Sequence, residues 1–154
     1  MLPTDHNFWM NQAFREAEKA YREKEVPIGA VVVFENQIIG RGYNQTERLQ
    51  DPTAHAEILA ITAAAAHLES RRLLNTTLYV TLEPCPMCAG AIVLARIPTL
   101  VFGASDPKGG ACGTLFNITQ DSRLNHQVNV IPGIEENKCS LILSDFFRKL
   151  RDTN

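Results

Sequence analysis

Two short stretches of the chain combine residue types that bind metal ions and move protons. Residues 85–88 read Cys-Pro-Met-Cys, and residues 55–57 read His-Ala-Glu. Thiolates and imidazoles are ligands that zinc prefers, and a catalytic zinc keeps three protein ligands and one open position. A carboxylate beside such a site can act as a general base and acid. We therefore predict three zinc ligands and one catalytic carboxylate, which are His55, Cys85, Cys88 and Glu57.

The prolines around Cys85 predict that both thiols lie at the start of a helix. Pro84 has no N–H group and cannot continue the pairing of the preceding strand. Pro86 suits the first position of a helix, where the missing N–H would be unpaired. Cys85 is then the N-cap and Cys88 the third helical residue, and side chains at these two positions lie close together. The partial positive charge at a helix N-terminus also favours thiolates over thiols.

His55 and Glu57 are also expected near the start of a helix. Residues 51–53 have the types that cap helices, and an Ala-rich apolar run follows them. We predict that His55 lies in the first turn. In a helix interior, two side chains that are two residues apart, as His55 and Glu57 are, would point to opposite sides. Side chains lean toward the N-terminus, however, so both can reach a point beyond it. The sequence thus predicts two helix N-termini that face one ion.

Other interpretations of these residues stay open on the residues alone. The two cysteines could be a thioredoxin-like redox pair, which would leave the His-Ala-Glu stretch unexplained. A closed structural zinc site would need a fourth ligand. The candidates for that ligand lack the spacing of a partner, and they are Cys112, Cys139, His67 and His126. Glu57 could also be an ordinary solvated helix residue.

Composition and charge bound the class of protein. The chain has 154 residues, of which 45% are hydrophobic, and we predict a single domain over residues 1–154. No apolar run reaches the length of a membrane span. The four cysteines do not form a disulfide framework, which favours a cytoplasmic location. The formal net charge of −2 argues mildly against nucleic-acid binding, so an RNA substrate would require a local basic patch.

The apolar pattern predicts an α/β domain with the element order α-β-β-α-β-α-β-β-α. We expect helices over residues 5–24, 54–68, 86–96 and 135–152. We expect strands over residues 28–34, 37–42, 77–82, 99–104 and 128–131. The helix between the third and fourth strands favours their parallel pairing. This order predicts a mixed five-stranded sheet with helices on both faces, a three-layer α/β/α fold.

The two stretches match the H-x-E…P-C-x-x-C signature of zinc-dependent nucleobase deaminases. With further similar stretches, the chain resembles the bacterial-type tRNA adenosine deaminases of the cytidine/deoxycytidylate deaminase superfamily. These stretches are residues 26–31, 51–58, 81–91, 101–104 and 143–148. The resemblance implies a cytidine-deaminase-like fold, a zinc cofactor and a homodimer. It also implies that zinc-activated water converts adenosine to inosine at the wobble position of a tRNA anticodon stem-loop.

The resemblance further implies residues that bind the substrate. Asn44, which on the residues alone would be an ordinary turn residue, would hydrogen-bond to the flipped base. Val26 and Pro27 would line the pocket of that base. Asp106 would lie near the nucleotide backbone, although both of its neighbours depart from the pattern we expect for the family. The Gly-rich stretch 106–113 lacks the ending of a phosphate loop, and we interpret it as a shaped loop at the mouth of the site.

A basic and aromatic cluster follows near the end of the sequence. Arg148, Lys149 and Arg151 come directly after Phe146 and Phe147. Cations at a helix C-terminus complement the helix dipole, and this is one account of the cluster. The other account, which the resemblance favours, is that the cations hold tRNA phosphates while an aromatic ring lies against a loop base.

Three classes of function are consistent with these observations. Besides a tRNA adenosine deaminase, the zinc site would suit a free-base or nucleoside deaminase for guanine, cytosine or cytidine, or a zinc module without catalysis. The basic aromatic cluster favours the first class over the second, since a small substrate needs no phosphate contacts. Glu57 favours both enzyme classes over the third.

Overall fold

The computed structural model describes residues 5–153, which form four helices and five strands. The helices are α1 (His6–Arg22), α2 (Ala56–Leu68), α3 (Pro86–Leu94) and α4 (Glu136–Asp152). The strands are β1 (Gly29–Phe34), β2 (Gln37–Tyr43), β3 (Thr76–Leu82), β4 (Thr99–Ala104) and β5 (Asn129–Ile131). The element order and the α/β class agree with the prediction. Between residues 5 and 153, no helix combines the length and the apolar composition that crossing a membrane requires.

The five strands form one mixed sheet in the order β2-β1-β3-β4-β5. β1 pairs antiparallel with β2 and β3, whereas β4 pairs parallel with both β3 and β5. The predicted five-stranded mixed sheet and the parallel pairing of β3 with β4 are therefore confirmed. The β1–β2 hairpin turns at Glu35 and Asn36, which both have positive φ, as the common two-residue hairpin turns require.

Helices cover both faces of the sheet. On one face, α2 packs on β2 at very short range, because β2 has glycines where the helix crosses it. A Cβ atom at Gly42 would lie 2.3 Å from the Ala56 carbonyl oxygen, and one at Gly40 would lie 2.3 Å from the Ala60 carbonyl oxygen. On the other face, α1 and α4 pack against central strand residues. The single domain over residues 1–154 stays a prediction, which this shared sheet supports.

Several element ends differ from the predicted ones for local reasons. α3 ends at Leu94 rather than Arg96, because Arg96 has a positive φ of 61°. α1 ends at Arg22 rather than Lys24, where Lys24 likewise has a positive φ. α2 begins at Ala56 rather than Ala54, because Ala54 donates its N–H to the Asp51 carbonyl in a turn before the helix. Such left-handed residues and turns end or delay a helix without changing its apolar pattern.

Candidate active site

Three side chains that could hold a metal ion meet where α2 and α3 begin. Cys85 is the N-cap of α3 and Cys88 lies in its first turn, as the prolines around Cys85 predict. The prediction for His55 was wrong by one position. His55 has extended backbone angles and is the N-cap of α2 rather than a first-turn residue. Its ligand atoms and those of the two cysteines all lie within 4.8 Å of one another.

The distances in this cluster fit a tetrahedral metal ion. Zinc lies about 2.3 Å from sulfur and about 2.0–2.1 Å from nitrogen, so a tetrahedral ion separates these two atoms by about 3.5 Å. His55 Nδ1 lies 3.6 Å from Cys85 Sγ and 3.5 Å from Cys88 Sγ. The donor set and its spacing are therefore those of a zinc site in which His55 would bind through Nδ1.

The described part of the chain supplies no fourth ligand to this cluster. His126 Nε2 donates a hydrogen bond to the Ile97 carbonyl oxygen (2.7 Å). Cys139 packs against Gly103, on the face of the sheet that α1 and α4 cover. A closed structural zinc site within residues 5–153 would require a ligand that the fold does not bring to the cluster. An open fourth position is what a catalytic zinc site needs.

The helix N-terminus and the neighbouring side chains stabilise negative charge on Cys85. A hydrogen bond from the Cys88 thiol, together with the His55 ring, lowers the pKa of Cys85 to about 4, although burial opposes this shift. The pKa of Cys88 is raised, because its thiol donates to Cys85 and is buried. A bound metal ion would remove this second proton, since coordinating thiols are deprotonated.

Glu57 lies beside the cluster in the first turn of α2. Its side chain is buried, and this burial raises the pKa of its carboxyl group from 4.5 to about 7, although the His55 charge opposes the shift. A group with a pKa near neutral can both accept and return a proton efficiently. The structure thus excludes the interpretation of Glu57 as a solvated helix residue and leaves its carboxyl group suited to proton transfer.

Asn44 lies next to the cluster because of a short loop. Its backbone N–H donates to the Ile28 carbonyl (3.1 Å), which extends the β1–β2 pairing by one residue. The following residue, Gln45, donates to the Ala54 carbonyl (3.0 Å) and so closes the loop just before His55. Asn44 as a residue is only 5% exposed. Between Asp5 and Thr153 no protein group hydrogen-bonds to its side-chain amide, whose atoms are not fully buried. This amide is free to bind a ligand.

Other predicted substrate residues line two neighbouring cavities. A groove with a volume of ≈ 820 Å³ has Val26, Asp106 and Phe147 in its lining. A second cavity of ≈ 780 Å³ is also lined by Val26 and Phe147, and Phe146 joins them there. The groove contains Leu82, three residues before Cys85, but none of the metal-binding residues. The fold therefore groups four of the predicted residues outside the metal cluster.

Two predicted contact residues lie elsewhere. Pro27 is buried and lines neither of these two cavities. Arg148 also lies outside both cavities, and its guanidinium group pairs with Asp145. Two other cations do line the groove: Arg151, which belongs to the predicted basic cluster, and Lys108, which was not predicted as a contact.

Sequence reasoning missed two buried carboxylates that hold the loops beside the site. Glu25 is 1% exposed and accepts the backbone N–H groups of Glu47 (3.1 Å) and Arg48 (2.6 Å). Glu83 is 2% exposed and accepts hydrogen bonds from the loop of residues 105–114. Burial alone would raise the pKa of Glu83, but these hydrogen bonds lower it. No local signal separates these two glutamates from exposed ones, because their hydrogen-bond partners are distant in the sequence.

Comparison with known proteins gives matches over nearly the whole chain. A family model of MafB19-like deaminases matches residues 4–151. A tRNA-specific adenosine deaminase of Bacillus subtilis (strain 168) is 53% identical over 148 residues, which are 96% of this chain and 92% of that protein. The protein of the same name from Haemophilus influenzae (strain ATCC 51907 / DSM 11121 / KW20 / Rd) is 50% identical over 93% of this chain and 83% of its own length.

A solved structure is similar at the level of the fold as well. It comes from work on A-to-I editing by tRNA:A34 deaminases at the wobble position of transfer RNA. The two structures agree with a TM-score of 0.85 and 45% sequence identity, over 88% of this chain and 99% of that chain. The cytidine-deaminase-like fold predicted from the sequence is thereby confirmed.

Proposed function

The chain belongs to the family of tRNA-specific adenosine deaminases, and from this membership we propose that it hydrolytically converts adenosine to inosine at the wobble position of a tRNA anticodon. It is accordingly an enzyme, a deaminase that acts as a hydrolase. The observation that carries the proposal is the cluster at the N-termini of α2 and α3. There, three side chains with the spacing of zinc ligands lie beside a buried carboxylate.

One zinc ion per chain would be held by three atoms, which are His55 Nδ1, Cys85 Sγ and Cys88 Sγ. The distances between the nitrogen and the two sulfurs support this assignment. When bound, zinc with an open fourth position lowers the pKa of a water molecule and so supplies a nucleophile near neutral pH. The two helix N-termini favour the negative charge of the ligands.

Glu57 would move the protons of the reaction. Its carboxylate takes a proton from the attacking water and delivers it to N1 of the adenine ring as the water oxygen bonds to C6. Glu57 then takes the remaining proton of the former water oxygen and delivers it to the amino group. The C6–N6 bond breaks, ammonia leaves, and the oxygen remains as O6 of inosine with the first proton on N1. A pKa that burial raises to about 7 supports a group that must carry a proton in both directions.

The substrate would be held by residues on both sides of the cluster. Asn44 is 5% exposed, and its amide has no hydrogen-bond partner between Asp5 and Thr153, so it would hydrogen-bond to the flipped base. The base pocket and the anticodon loop would be contacted by Val26, Pro27, Asp106, Phe146, Phe147 and Arg148. Lys108 and Arg151 add positive charge along the groove, which gives the chain a local basic surface despite its net charge of −2.

A homodimer is also part of the proposal. Exposed apolar side chains lie at the C-terminal end of α3 and on the loop after residue 113. Leu94 is 73% exposed, and Leu115 and Phe116 are 52% and 56% exposed. A second copy of the chain that covers them would remove this apolar surface from water. The cytoplasmic location stays a prediction, which the four free cysteines support.

A direct assay tests the proposed reaction against the small-molecule alternative. The zinc-loaded protein is incubated with an anticodon stem-loop that has adenosine at the wobble position, and separately with guanine, cytosine and cytidine. We expect inosine in the stem-loop, with one ammonia released for each inosine, and no turnover of the small substrates. Ammonia from a free base with an unchanged stem-loop would instead establish a free-base deaminase.

A further inference from the structure

Glu83 is a buried carboxylate in an unusual setting. It lies between the end of β3 and the turn that holds the thiol ligands, separated from Cys85 by Pro84 alone. Its own N–H donates to the Ala104 carbonyl (2.8 Å), so its backbone is fixed against β4. Buried carboxylates are usually paired with a cation. Among the described residues, however, no ion pair includes Glu83.

The partners of Glu83 all come from the loop of residues 105–114. Oε1 accepts the Asp106 N–H (3.0 Å) and the Thr114 hydroxyl. Oε2 accepts the N–H groups of Cys112 (3.0 Å) and Thr114 (3.1 Å). The Glu83 carboxylate thus binds both ends of the loop, and each of its two oxygens accepts two hydrogen bonds.

The loop is shaped to approach this carboxylate closely. A Cβ atom on Gly110 would lie 2.4–2.6 Å from the carboxylate atoms of Glu83, so only glycine allows the backbone to pass there. The loop contains no helix or strand, and its one β-bridge joins Cys112 to Asn117. The path of the loop therefore depends on the contact with Glu83 and on the bond from the Ala111 N–H to the Pro84 carbonyl (2.9 Å).

The same loop forms one wall of the groove beside the metal cluster. Residues 105–108 line this groove, opposite Phe147 and Arg151 of α4. Glu83 itself does not line the groove. Glu83 therefore joins the groove wall to the Cys85–Cys88 turn, although its side chain is buried. Its backbone leads directly into the metal-binding turn, and its carboxylate holds the wall that would contact the substrate.

We propose that Glu83 is a positioning residue of the deaminase, whose carboxylate sets the distance between the groove wall of residues 105–108 and the metal-binding Cys85–Cys88 turn. The kinetic part of this proposal rests on the proposed function, whereas the structural part does not. Glu83 acts through the loop alone. Its loss should therefore weaken the fit of the substrate without removing the metal.

The substitution Glu83→Gln tests the proposal with little change in volume. The side-chain amide replaces one acceptor oxygen with an NH₂ donor, which must then face the N–H donors of the loop. We expect one zinc per chain as in the unchanged protein, and faster hydrogen exchange at the amides of Asp106, Cys112 and Thr114. KM for the stem-loop should rise more than kcat falls, and kcat/KM should drop about 10²-fold, as a misplacement of about 1 Å can cause.

A milder pair of substitutions at Thr114 keeps the test decisive if Glu83→Gln does not fold. Thr114→Val removes only the hydroxyl donor, so we expect a smaller rise in KM and a smaller increase in exchange at Asp106 and Cys112. Thr114→Ser keeps the donor and should behave as the unchanged protein. Glu16→Gln is the matched control, because Glu16 is equally buried but pairs with Lys19 and Arg41 away from the loop. It should change stability without changing KM.

Three results would overturn the proposal. The first is normal KM and normal amide exchange in a folded Glu83→Gln protein. The second is a Glu83→Gln protein that folds without zinc, since Glu83 would then support the ligands rather than the loop. The third is a Thr114→Val protein that matches Thr114→Ser in both measurements. If the unchanged protein fails to deaminate the stem-loop, the proposed function fails, and the exchange measurements still decide whether Glu83 holds the loop.

Discussion

The metal cluster and the loops around it are built by different means. Each candidate ligand of the cluster occupies a helix N-cap or first turn that its immediate sequence neighbours create, as Pro84 and Pro86 do for Cys85. The loops of residues 44–53 and 105–114 instead take their positions from the distant carboxylates of Glu25 and Glu83. Local sequence therefore positions the chemistry, whereas buried hydrogen bonds between distant residues position the surfaces that would select the substrate.

Removing a ligand should have the largest effect in this comparison. Cys88 is fully buried at the start of α3, and its sulfur completes the set of three candidate ligands. We expect Cys88→Ala to lose zinc and to show no measurable deamination, because two ligands do not hold the ion against chelators. Metal analysis and the stem-loop assay check this. Retained zinc in a folded Cys88→Ala protein would show that the cluster is not the metal site.

A change in the first loop should lower activity and leave the cluster intact. Asn44→Ala removes the amide that would hydrogen-bond to the flipped base. We expect a loss of about 1–3 kcal/mol in transition-state binding, which is a decrease of about 5- to 150-fold in kcat/KM. Zinc content and melting temperature should be those of the unchanged protein. A normal kcat/KM would assign Asn44 to the turn alone.

Replacing Glu25, which binds that loop, should lower activity less than replacing Asn44. Glu25→Gln weakens the hydrogen bonds to the N–H groups of Glu47 and Arg48. We expect a decrease of about tenfold in kcat/KM, close to the value of one hydrogen bond to a charged group. Steady-state kinetics of Glu25→Gln, with Glu16→Gln as the control variant, measure this decrease. Equal kinetics in the two variants would mean that the loop holds its path without Glu25.

The basic residues of α4 should have the smallest effect on catalysis. Arg151 lines the groove, whereas Asp145 already pairs with Arg148. If Arg151 contacts a phosphate, Arg151→Ala should lower the slope of binding against salt by about 1. Arg148→Ala should lower it less, because Asp145 competes for the guanidinium group. Stem-loop binding across a salt series tests both. Unchanged slopes in both folded variants would support the account in which these cations only complement the helix dipole.

The same comparison explains what the sequence could predict. The order of the elements and the N-cap role of Cys85 follow from apolar periodicity and proline positions, which are local signals. The ligand set rests on residue types and stays a prediction. His55 was misplaced by one residue, because the Ala54–Asp51 turn delays the start of α2. Glu25 and Glu83 could not be found in this way. Their partners lie 22 to 31 residues away, and a buried glutamate has no local pattern that separates it from an exposed one.

The zinc content and activity of Glu57→Ala, measured on the same sample, test the central claim most directly. Glu57 is buried beside the cluster but is not one of its three candidate ligands. The account predicts one zinc per chain, normal binding of the stem-loop and loss of deamination, because the ion is held while the proton carrier is missing. Loss of zinc would make Glu57 a ligand, and full activity with zinc present would contradict its role in proton transfer.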